Sequence, residues 1–274
     1  MEFASLEPLD GGWSGETFLG EAGGVRSVVR VFASPRHPAE AAEIQAALLR
    51  LVRGLLPVPA VLELRRADPA AGTPALLVTE HLPGVRADLL LPTLDDAGLR
   101  RVGAAFGRVA ATLGGMPLLH RGVFVDGELT VEPFDLDLPD SLGEVALAAQ
   151  ALLDEEQRTC LVHSDLNPKN LLVDPDTLEV TGVLDWEFAH AGHPFTDLGN
   201  LLRFERQPAY VDGVLAAYGE LRGTAPGRAL AQARSADLYA LAELASRAGE
   251  NPVADRAAAR LAAVIGAGDV HAVE

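Results

Sequence analysis

The chain has 274 residues, 49% of them hydrophobic, and a formal net charge of −17 at neutral pH. This composition is typical of a well-packed globular protein and excludes an intrinsically disordered chain. The acidic balance argues against nucleic acid or an anionic membrane surface as a partner, because phosphate recognition requires clustered basic side chains. No apolar run approaches the ~18 residues that a membrane-spanning helix needs. A single cysteine and an N-terminus without a basic segment before an apolar core predict a cytoplasmic protein.

Residues 1–82 are predicted to form strands and one helix. Alternating or apolar stretches bounded by turn residues predict strands at 6–9, 17–19, 27–32, 60–64 and 75–79. The segment 38–52 predicts a helix, because Pro38 stands in its first turn and apolar residues recur at helical spacing.

A glycine-rich segment, Gly11-Gly12-Trp13-Ser14-Gly15, follows the first predicted strand. Glycines let the backbone approach phosphate oxygens and present N–H groups to them. By itself, the segment favours an ordinary hairpin turn, and only its position before Arg30 and the residues described below favours a nucleotide loop. Neither a P-loop nor a dinucleotide-binding glycine motif occurs in the chain.

The chain after residue 82 is predicted to be mainly helical. Amphipathic patterns and acidic starts predict helices at 95–113, 143–158, 197–204, 208–221, 228–248 and 252–266. Between the second and third of these helices lies a polar segment, called the polar strip below, that contains the candidate catalytic residues.

The polar strip is His163-Ser-Asp165-Leu-Asn-Pro-Lys-Asn170, followed by Leu184-Asp185-Trp-Glu187 at the end of an apolar run. A carboxylate, an amide and a second carboxylate at this spacing are the polar parts of a phosphoryl-transfer site. We expect Asp165 to accept the proton of a hydroxyl group. We expect Asn170 and Asp185 to hold Mg²⁺, whose preferred ligands are oxygens.

With these residues the chain resembles the aminoglycoside phosphotransferase-like small-molecule kinases, whose fold is related to that of protein kinases. The resemblance extends from the glycines near Gly11 to the helices after Asp197. It implies an α+β class and a bilobal protein-kinase-like fold, with a β-rich N-terminal lobe containing one main helix and a larger helical C-terminal lobe. The expected division is a nucleotide-binding lobe at 1–82 and a catalytic and substrate-binding lobe at 83–274.

The same resemblance implies ATP and Mg²⁺ as cofactors, with GTP not excluded, and a small-molecule acceptor. Gly12 and Ser14 would belong to the nucleotide loop. Glu80 and Leu82 would form a hinge that reads the base through their backbone carbonyl and amide groups. Arg30 would hold the α- and β-phosphates.

Arg30 is a departure from the family, which places a lysine at this strand position, although arginine is also a good bidentate phosphate ligand. The helix residue that pairs with Arg30 is left open by the sequence. Spacing favours Gln45, whereas charge favours Glu43 or Glu40.

Five further residues in or near the polar strip have implied or alternative roles. The family makes His163 a packing residue, carries glycine where Ser164 stands, and places Asp197 under the catalytic loop as a brace. The alternative is a zinc site built from His190, His193 and Asp197.

The acceptor cannot be assigned from sequence. Residues from Val85 onward contain 29 acidic and 15 basic side chains, a field that suits a cationic molecule, with antibiotic modification the leading hypothesis. The alternatives are a kinase of choline, an amino alcohol or a sugar, or a non-catalytic nucleotide-binding protein. We expect a monomer or weak homodimer. Candidate acceptor-binding residues are Glu187, Glu205, Asp212, Glu220, Asp237, Glu243 and Glu250.

Overall fold

The computed structural model of the chain describes residues 5–9, 17–35, 37–134, 138–139 and 142–272. In chain order its strands are β1 (Ser5–Pro8), β2 (Thr17–Ala22), β3 (Val25–Phe32), β4 (Val61–Arg65), β5 (Ala75–Glu80), β6 (Val85–Arg86), β7 (Pro117–Leu118), β8 (Gly122–Phe124), β9 (Val131–Pro133), β10 (Thr159–Val162), β11 (Leu171–Val173), β12 (Val180–Val183) and β13 (His190–Gly192). Its helices are α1 (Ala41–Val52), α2 (Ala87–Leu90), α3 (Asp96–Leu113), α4 (Glu144–Leu153), α5 (Thr196–Leu202), α6 (Pro208–Arg222), α7 (Pro226–Ala245) and α8 (Pro252–Ala267), with short 3₁₀ turns at Leu91–Thr93 and Pro168–Asn170.

The chain divides into two compact units, each built from more than one segment. The first unit contains Met1–Leu90, Val123–Glu132 and Lys169–Phe188. The second unit contains the rest: Leu91–Gly122, Pro133–Pro168 and Ala189–Glu274. Both units therefore take residues from beyond position 82, and the division into lobes at 1–82 and 83–274 stays a prediction.

The main sheet of the first unit has the strand order β1-β2-β3-β5-β4, with every neighbouring pair antiparallel. Strand β3 is central, and its Arg30 lies opposite Thr17 on one side and Leu77 on the other. Helix α1 packs on β4 and β5 through an apolar face that is fully buried at Leu48 and Val52. A second, smaller sheet has the order β12-β11-β6.

The second unit is mainly helical. Helices α3 and α6 make its most extensive helix–helix contact, and glycines allow the close approach. A Cβ atom added at Gly107 would overlap the Val214 carbonyl oxygen, and one added at Gly213 would overlap the Arg100 carbonyl oxygen. A separate apolar cluster is formed by α4, α7 and α8 and the residues near them: Leu142, Val145, Ala149, Leu238, Leu241, Ala257 and Val264.

The α+β class and the sequence of a strand-rich region followed by a helical region are confirmed. The predicted start of α3 is confirmed in detail, because the Asp95 carboxylate accepts the Gly98 N–H at 2.8 Å as an N-cap. Helix α4 is shorter than predicted and ends at Leu153, where the chain leaves the helix to enter β10. No helix in the described ranges is long and apolar enough to cross a membrane.

Candidate active site

In the first unit, Arg30 lies between two carboxylates that follow β12. Its Nη1 donates to Asp185 Oδ1 at 2.9 Å, and its Nη2 donates to Glu187 Oε2. The Arg30 side chain is only 15% exposed. Burial alone would lower the pKa of Arg30, but Asp185 and Glu187 outweigh it and raise the pKa. Two anionic groups therefore already converge on a single cation at this point of the unit.

The backbone around Asp185 is fixed by local contacts. The Leu184 N–H donates to the Asn170 carbonyl oxygen at 2.8 Å, which ties the Asp185 turn to the end of the preceding 3₁₀ turn. The buried indole of Trp186 donates to the Val183 carbonyl oxygen at 3.1 Å. Asp185 itself has φ +61°, a left-handed conformation that non-glycine residues seldom adopt and that is often found at functional sites.

These residues fit a hard divalent cation of the kind predicted. Within the described ranges, no three His, Cys, Asp or Glu side chains are placed to hold a metal ion by themselves. Mg²⁺, however, is commonly bound by one or two carboxylates together with substrate phosphates. The Asp185 and Glu187 carboxylates, which already attract the Arg30 guanidinium, match that requirement. Asn170 is linked to the same turn through its backbone carbonyl, which accepts the Leu184 N–H.

Two of the three candidate partners of Arg30 contact other groups. Glu43 is buried on α1, and its Oε1 lies 3.5 Å from Arg66 Nε. Glu40 Oε2 accepts the Gly127 N–H at 3.3 Å. Gln45 is buried on the same helix. Which of them pairs with Arg30 when a nucleotide is bound stays a prediction.

The other predicted nucleotide-binding residues are placed as follows. Gly12 and Ser14 lie outside the described residues. Glu80 is exposed at the end of β5, and its Oε2 accepts the Ala60 N–H at 3.4 Å. Leu82 follows two residues later and is half-buried. The hinge role of Glu80 and Leu82 stays a prediction.

In the second unit, the Asp165 loop is held by Asp197. This carboxylate is buried, accepts the His163 N–H at 2.9 and 3.1 Å, and accepts the Ser164 N–H at 2.9 Å. Burial raises the pKa of Asp197 to about 7, against the effect of these hydrogen bonds. Asp197 thus has the contacts of a brace beneath the loop.

The next two backbone amides of the loop are also bonded to side chains. His163 Nδ1 accepts the Asp165 N–H at 3.3 Å, and Asn200 Oδ1 accepts the Leu166 N–H at 3.3 Å. The Asn167 amide donates to Asp165 Oδ1 at 2.8 Å. The loop is therefore fixed amide by amide, while the Asp165 residue that it carries remains partly exposed.

Ser164 has φ +65°, in the left-handed region. This conformation costs a non-glycine residue of order 1 kcal/mol or more, which explains why glycine is favoured at this position.

Two of the three residues of the alternative zinc site are bonded to other groups. His193 Nε2 donates to the Leu153 carbonyl oxygen at 3.3 Å, and its Nδ1 accepts the Phe195 N–H at 3.4 Å. Both ring nitrogens are therefore committed to backbone groups. Asp197 is 1% exposed and bonded to the loop amides, and His190 lies on β13.

The contacts give Glu187 and Asp237 partners that the sequence did not indicate, and they bring in Asn200 and Arg203, which the sequence did not single out. Glu187 was a candidate for acceptor binding, but it contacts Arg30. Asp237, also a candidate for acceptor binding, is buried and bonded to Arg203 and Asn200. One signal in the sequence could have indicated the group around Asp237. Asp197, Asn200 and Arg203 are spaced three residues apart, and residues at this spacing lie along one side of a helix.

Fold and motif together define a protein of the kinase-like phosphotransferase class. A family model described as the phosphotransferase enzyme family matches residues 5–233. The chain belongs to this family.

Solved structures share the fold along nearly the whole chain. A thermostable mutant of the aminoglycoside phosphotransferase APH(4)-Ia, in a ternary complex with AMP-PNP and hygromycin B, aligns with a TM-score of 0.69 and 18% identity over 97% of this chain and 95% of that chain. The aminoglycoside-3′-phosphotransferase of type VIII aligns with a TM-score of 0.59 and 24% identity over 87% and 94% of the two chains. The predicted protein-kinase-like fold is thereby confirmed.

Curated relatives match over part of their length. Acyl-CoA dehydrogenase family member 10 of Mus musculus is 29% identical over 157 residues, 52% of this chain and 15% of the mouse protein. An aminoglycoside 3′-phosphotransferase of Streptomyces ribosidificus is 36% identical over 149 residues, 49% of this chain and 54% of that protein. The chain therefore covers about half of one relative and a small part of the other.

Proposed function

We propose that the protein transfers the γ-phosphoryl group of ATP, together with Mg²⁺, to a hydroxyl group of a small molecule. The observation that carries this proposal is the Asp165 loop, in which buried side chains fix successive amides beside a partly exposed carboxylate. Such preorganisation is what a general base needs, because phosphoryl transfer depends mainly on positioning and charge stabilisation.

In the proposed reaction, the acceptor oxygen bonds to the γ-phosphorus as the bond to the bridging oxygen of ADP breaks. Asp165 takes the hydroxyl proton, and Asn167 keeps its carboxylate oriented through the 2.8 Å hydrogen bond. Asn170 and Asp185 would hold the metal ion, with Glu187 beside them. When bound, Mg²⁺ neutralises charge that develops on the phosphates.

Arg30 would hold the phosphates of the nucleotide. Its guanidinium already binds two anionic groups, Asp185 and Glu187, and its planar fork also suits phosphate oxygens. When a nucleotide binds, the Arg30 guanidinium would leave the Asp185 and Glu187 carboxylates and contact phosphate oxygens instead. Nucleotide binding would thereby free these two carboxylates to bind the metal ion.

For the acceptor, we propose a cationic hydroxylated molecule of the aminoglycoside kind. The acidic surplus of the chain after Val85 and the 36% identity to a protein named as an aminoglycoside 3′-phosphotransferase support this class. A hydroxylated metabolite is the second candidate, because a segment of a protein named as an acyl-CoA dehydrogenase family member is also similar.

The two acceptor classes can be separated by a panel of hydroxylated compounds. Aminoglycosides, amino alcohols, sugars and hydroxylated acyl thioesters would be incubated with Mg·ATP, and the products detected by the mass of an added phosphoryl group. Transfer confined to cationic antibiotics supports the first class, and transfer confined to metabolites supports the second. Nucleotide binding without transfer to any acceptor or to water would favour the non-catalytic alternative.

The role of Asp165 is tested by Asp165→Asn with the best acceptor of that panel. We expect nucleotide binding to persist and kcat to fall by roughly 10²–10⁴, the usual effect of losing a general base. Asp174→Asn is the matched control, since Asp174 is a partly exposed turn residue that accepts the Asp176 and Thr177 N–H groups. An Asp165→Asn enzyme that keeps more than roughly a tenth of the wild-type kcat would remove Asp165 from the mechanism.

A further inference from the structure

The peptide that follows Asp165 is held at both of its polar groups. Its carbonyl oxygen, that of Asp165, accepts the Asn167 N–H at 2.9 Å and the Asn167 Nδ2 at 3.2 Å. The Leu166 N–H is buried and donates to Asn200 Oδ1 at 3.3 Å. A buried N–H needs an acceptor, so this hydrogen bond fixes the N–H end of the Asp165–Leu166 peptide plane, whose carbonyl end is bonded to Asn167. That plane determines the ψ angle of Asp165, and with it where the Asp165 side chain points.

Asn200 can serve as acceptor in only one orientation of its amide. Its Nδ2 donates to Asp237 Oδ1 at 3.2 Å. If the amide turned over, Oδ1 would face the Asp237 carboxylate and Nδ2 would face the Leu166 N–H, acceptor against acceptor and donor against donor. The Asp237 carboxylate, which only accepts, therefore selects the orientation that binds the loop.

Arg203 fixes Asp237 in turn. Its Nε donates to both carboxylate oxygens of Asp237, at 2.9 and 3.1 Å, and its Nη2 donates to Oδ1 at 2.6 Å. The two side chains are only 8% and 7% exposed. A buried, multiply bonded ion pair of this kind has few alternative geometries.

The contact depends on close packing between α5 and α7. A Cβ atom added at Gly199 would overlap the Ala233 carbonyl oxygen and would lie 2.9 Å from the Asp237 Cβ. The missing side chain thus lets α7 approach α5 closely enough for Asp237 to reach Asn200. Asp237 lies four residues beyond the end of the family match at residue 233, whereas Asn200 and Arg203 lie within it.

We propose that Asp237 is a positioning residue for the Asp165 loop, because it holds the Asn200 amide with its oxygen toward the Leu166 N–H. The inference rests on the proposed phosphotransfer function, in which Asp165 is the general base. Asp237 acts through Asn200 and the backbone. Loss of its carboxylate therefore lowers kcat and leaves the KM values for nucleotide and acceptor unchanged.

The test replaces the ion pair by apolar residues of similar size, in the double variant Arg203→Met with Asp237→Leu. Replacing both partners avoids an unpaired buried charge, which would destabilise the fold by itself. Asn200→Leu, with Asp237 and Arg203 intact, is the second variant. The control is Gln232→Leu on the same helix, which removes a buried hydrogen bond to the Leu152 carbonyl oxygen.

Two measurements are made on each folded variant: steady-state kinetics, and hydrogen exchange of the Leu166 amide. We expect the double variant and Asn200→Leu to lose roughly 10- to 100-fold in kcat at unchanged KM, and Leu166 exchange to accelerate by at least about tenfold. Gln232→Leu should change neither quantity, even if its melting temperature falls. A folded double variant with wild-type kcat, or with wild-type protection of Leu166, overturns the proposal. If the wild-type protein transfers no phosphate, the proposed function fails, and the exchange measurement alone decides whether Asp237 holds the loop.

Discussion

His193 should make the protein sensitive to mild acid. The side chain is 9% exposed, and burial, with a further contribution from Arg121, lowers its pKa from 6.5 to about 4. Arg158 acts in the same direction, while the Leu153 carbonyl and Glu156 oppose the shift. The neutral tautomer with hydrogen on Nε2 satisfies both of its hydrogen bonds, and protonation of Nδ1 would break the bond from the Phe195 N–H.

The size of the effect follows from the two pKa values. Between about pH 6.5 and pH 4, the unfolded chain binds a proton at His193 that the native protein does not bind, so the free energy of unfolding falls as the pH falls. At roughly 1.4 kcal/mol per pH unit, the full loss is about 3 kcal/mol, and about 2 kcal/mol of it is reached at about pH 5.

The assay is urea unfolding of wild type and His193→Gln at about pH 7.5 and about pH 5. Glutamine keeps a donor for the Leu153 carbonyl but does not titrate, so the loss of stability between the two pH values should be smaller in the variant by about 2 kcal/mol. Asp197, whose pKa burial raises to about 7, titrates in both proteins and cancels in the comparison. His120→Gln, the same change at an exposed histidine, is the control and should behave as wild type. Equal pH sensitivity of His193→Gln and wild type would refute the argument.

Three further predictions concern the site. Arg30→Ala should raise the KM for nucleotide and lower kcat, and Arg30→Lys should restore part of the activity, because either cation can bind phosphate. Steady-state kinetics that leave Arg30→Ala at wild-type values would assign the phosphate contact to another residue. Asp185→Ala should abolish the Mg²⁺-dependent part of nucleotide affinity in calorimetry, and unchanged Mg·ATP binding would contradict its metal-binding role. Ser164→Val should lower the free energy of unfolding in urea by about 1–2 kcal/mol, because a β-branched residue is strained at φ +65°. Ser164→Gly should leave this free energy unchanged or raise it slightly. Equal losses in both variants would show that backbone strain is not the cause.

The sequence determined the identity and order of most secondary-structure elements. Hydrophobic periodicity and capping are local signals, so the strand around Arg30 and the helix beginning after Asp95 could be predicted to within a few residues. The sequence also determined the reaction class, because Asp165, Asn170 and Asp185 lie within one short stretch of chain and their spacing can be read directly. The ends of elements were less predictable. Helix α4 was predicted to end five residues too late, since the contacts that end it are not local.

Only the tertiary structure decided which partners the charged residues take. Arg30 contacts Asp185 and Glu187, 155 and 157 positions later in the chain, and no local pattern around Arg30 indicates these partners. In the sequence, Asp237 looks the same as an exposed aspartate on a helix surface, so its burial could not be predicted. Its burial against Arg203 depends on how closely α5 and α7 pack, which is set by long-range contacts and by the absence of a side chain at Gly199. The sequence shows which residues are charged. The burial of these residues and the distances between them determine how strongly they interact, and both are set only when distant segments of the chain pack together.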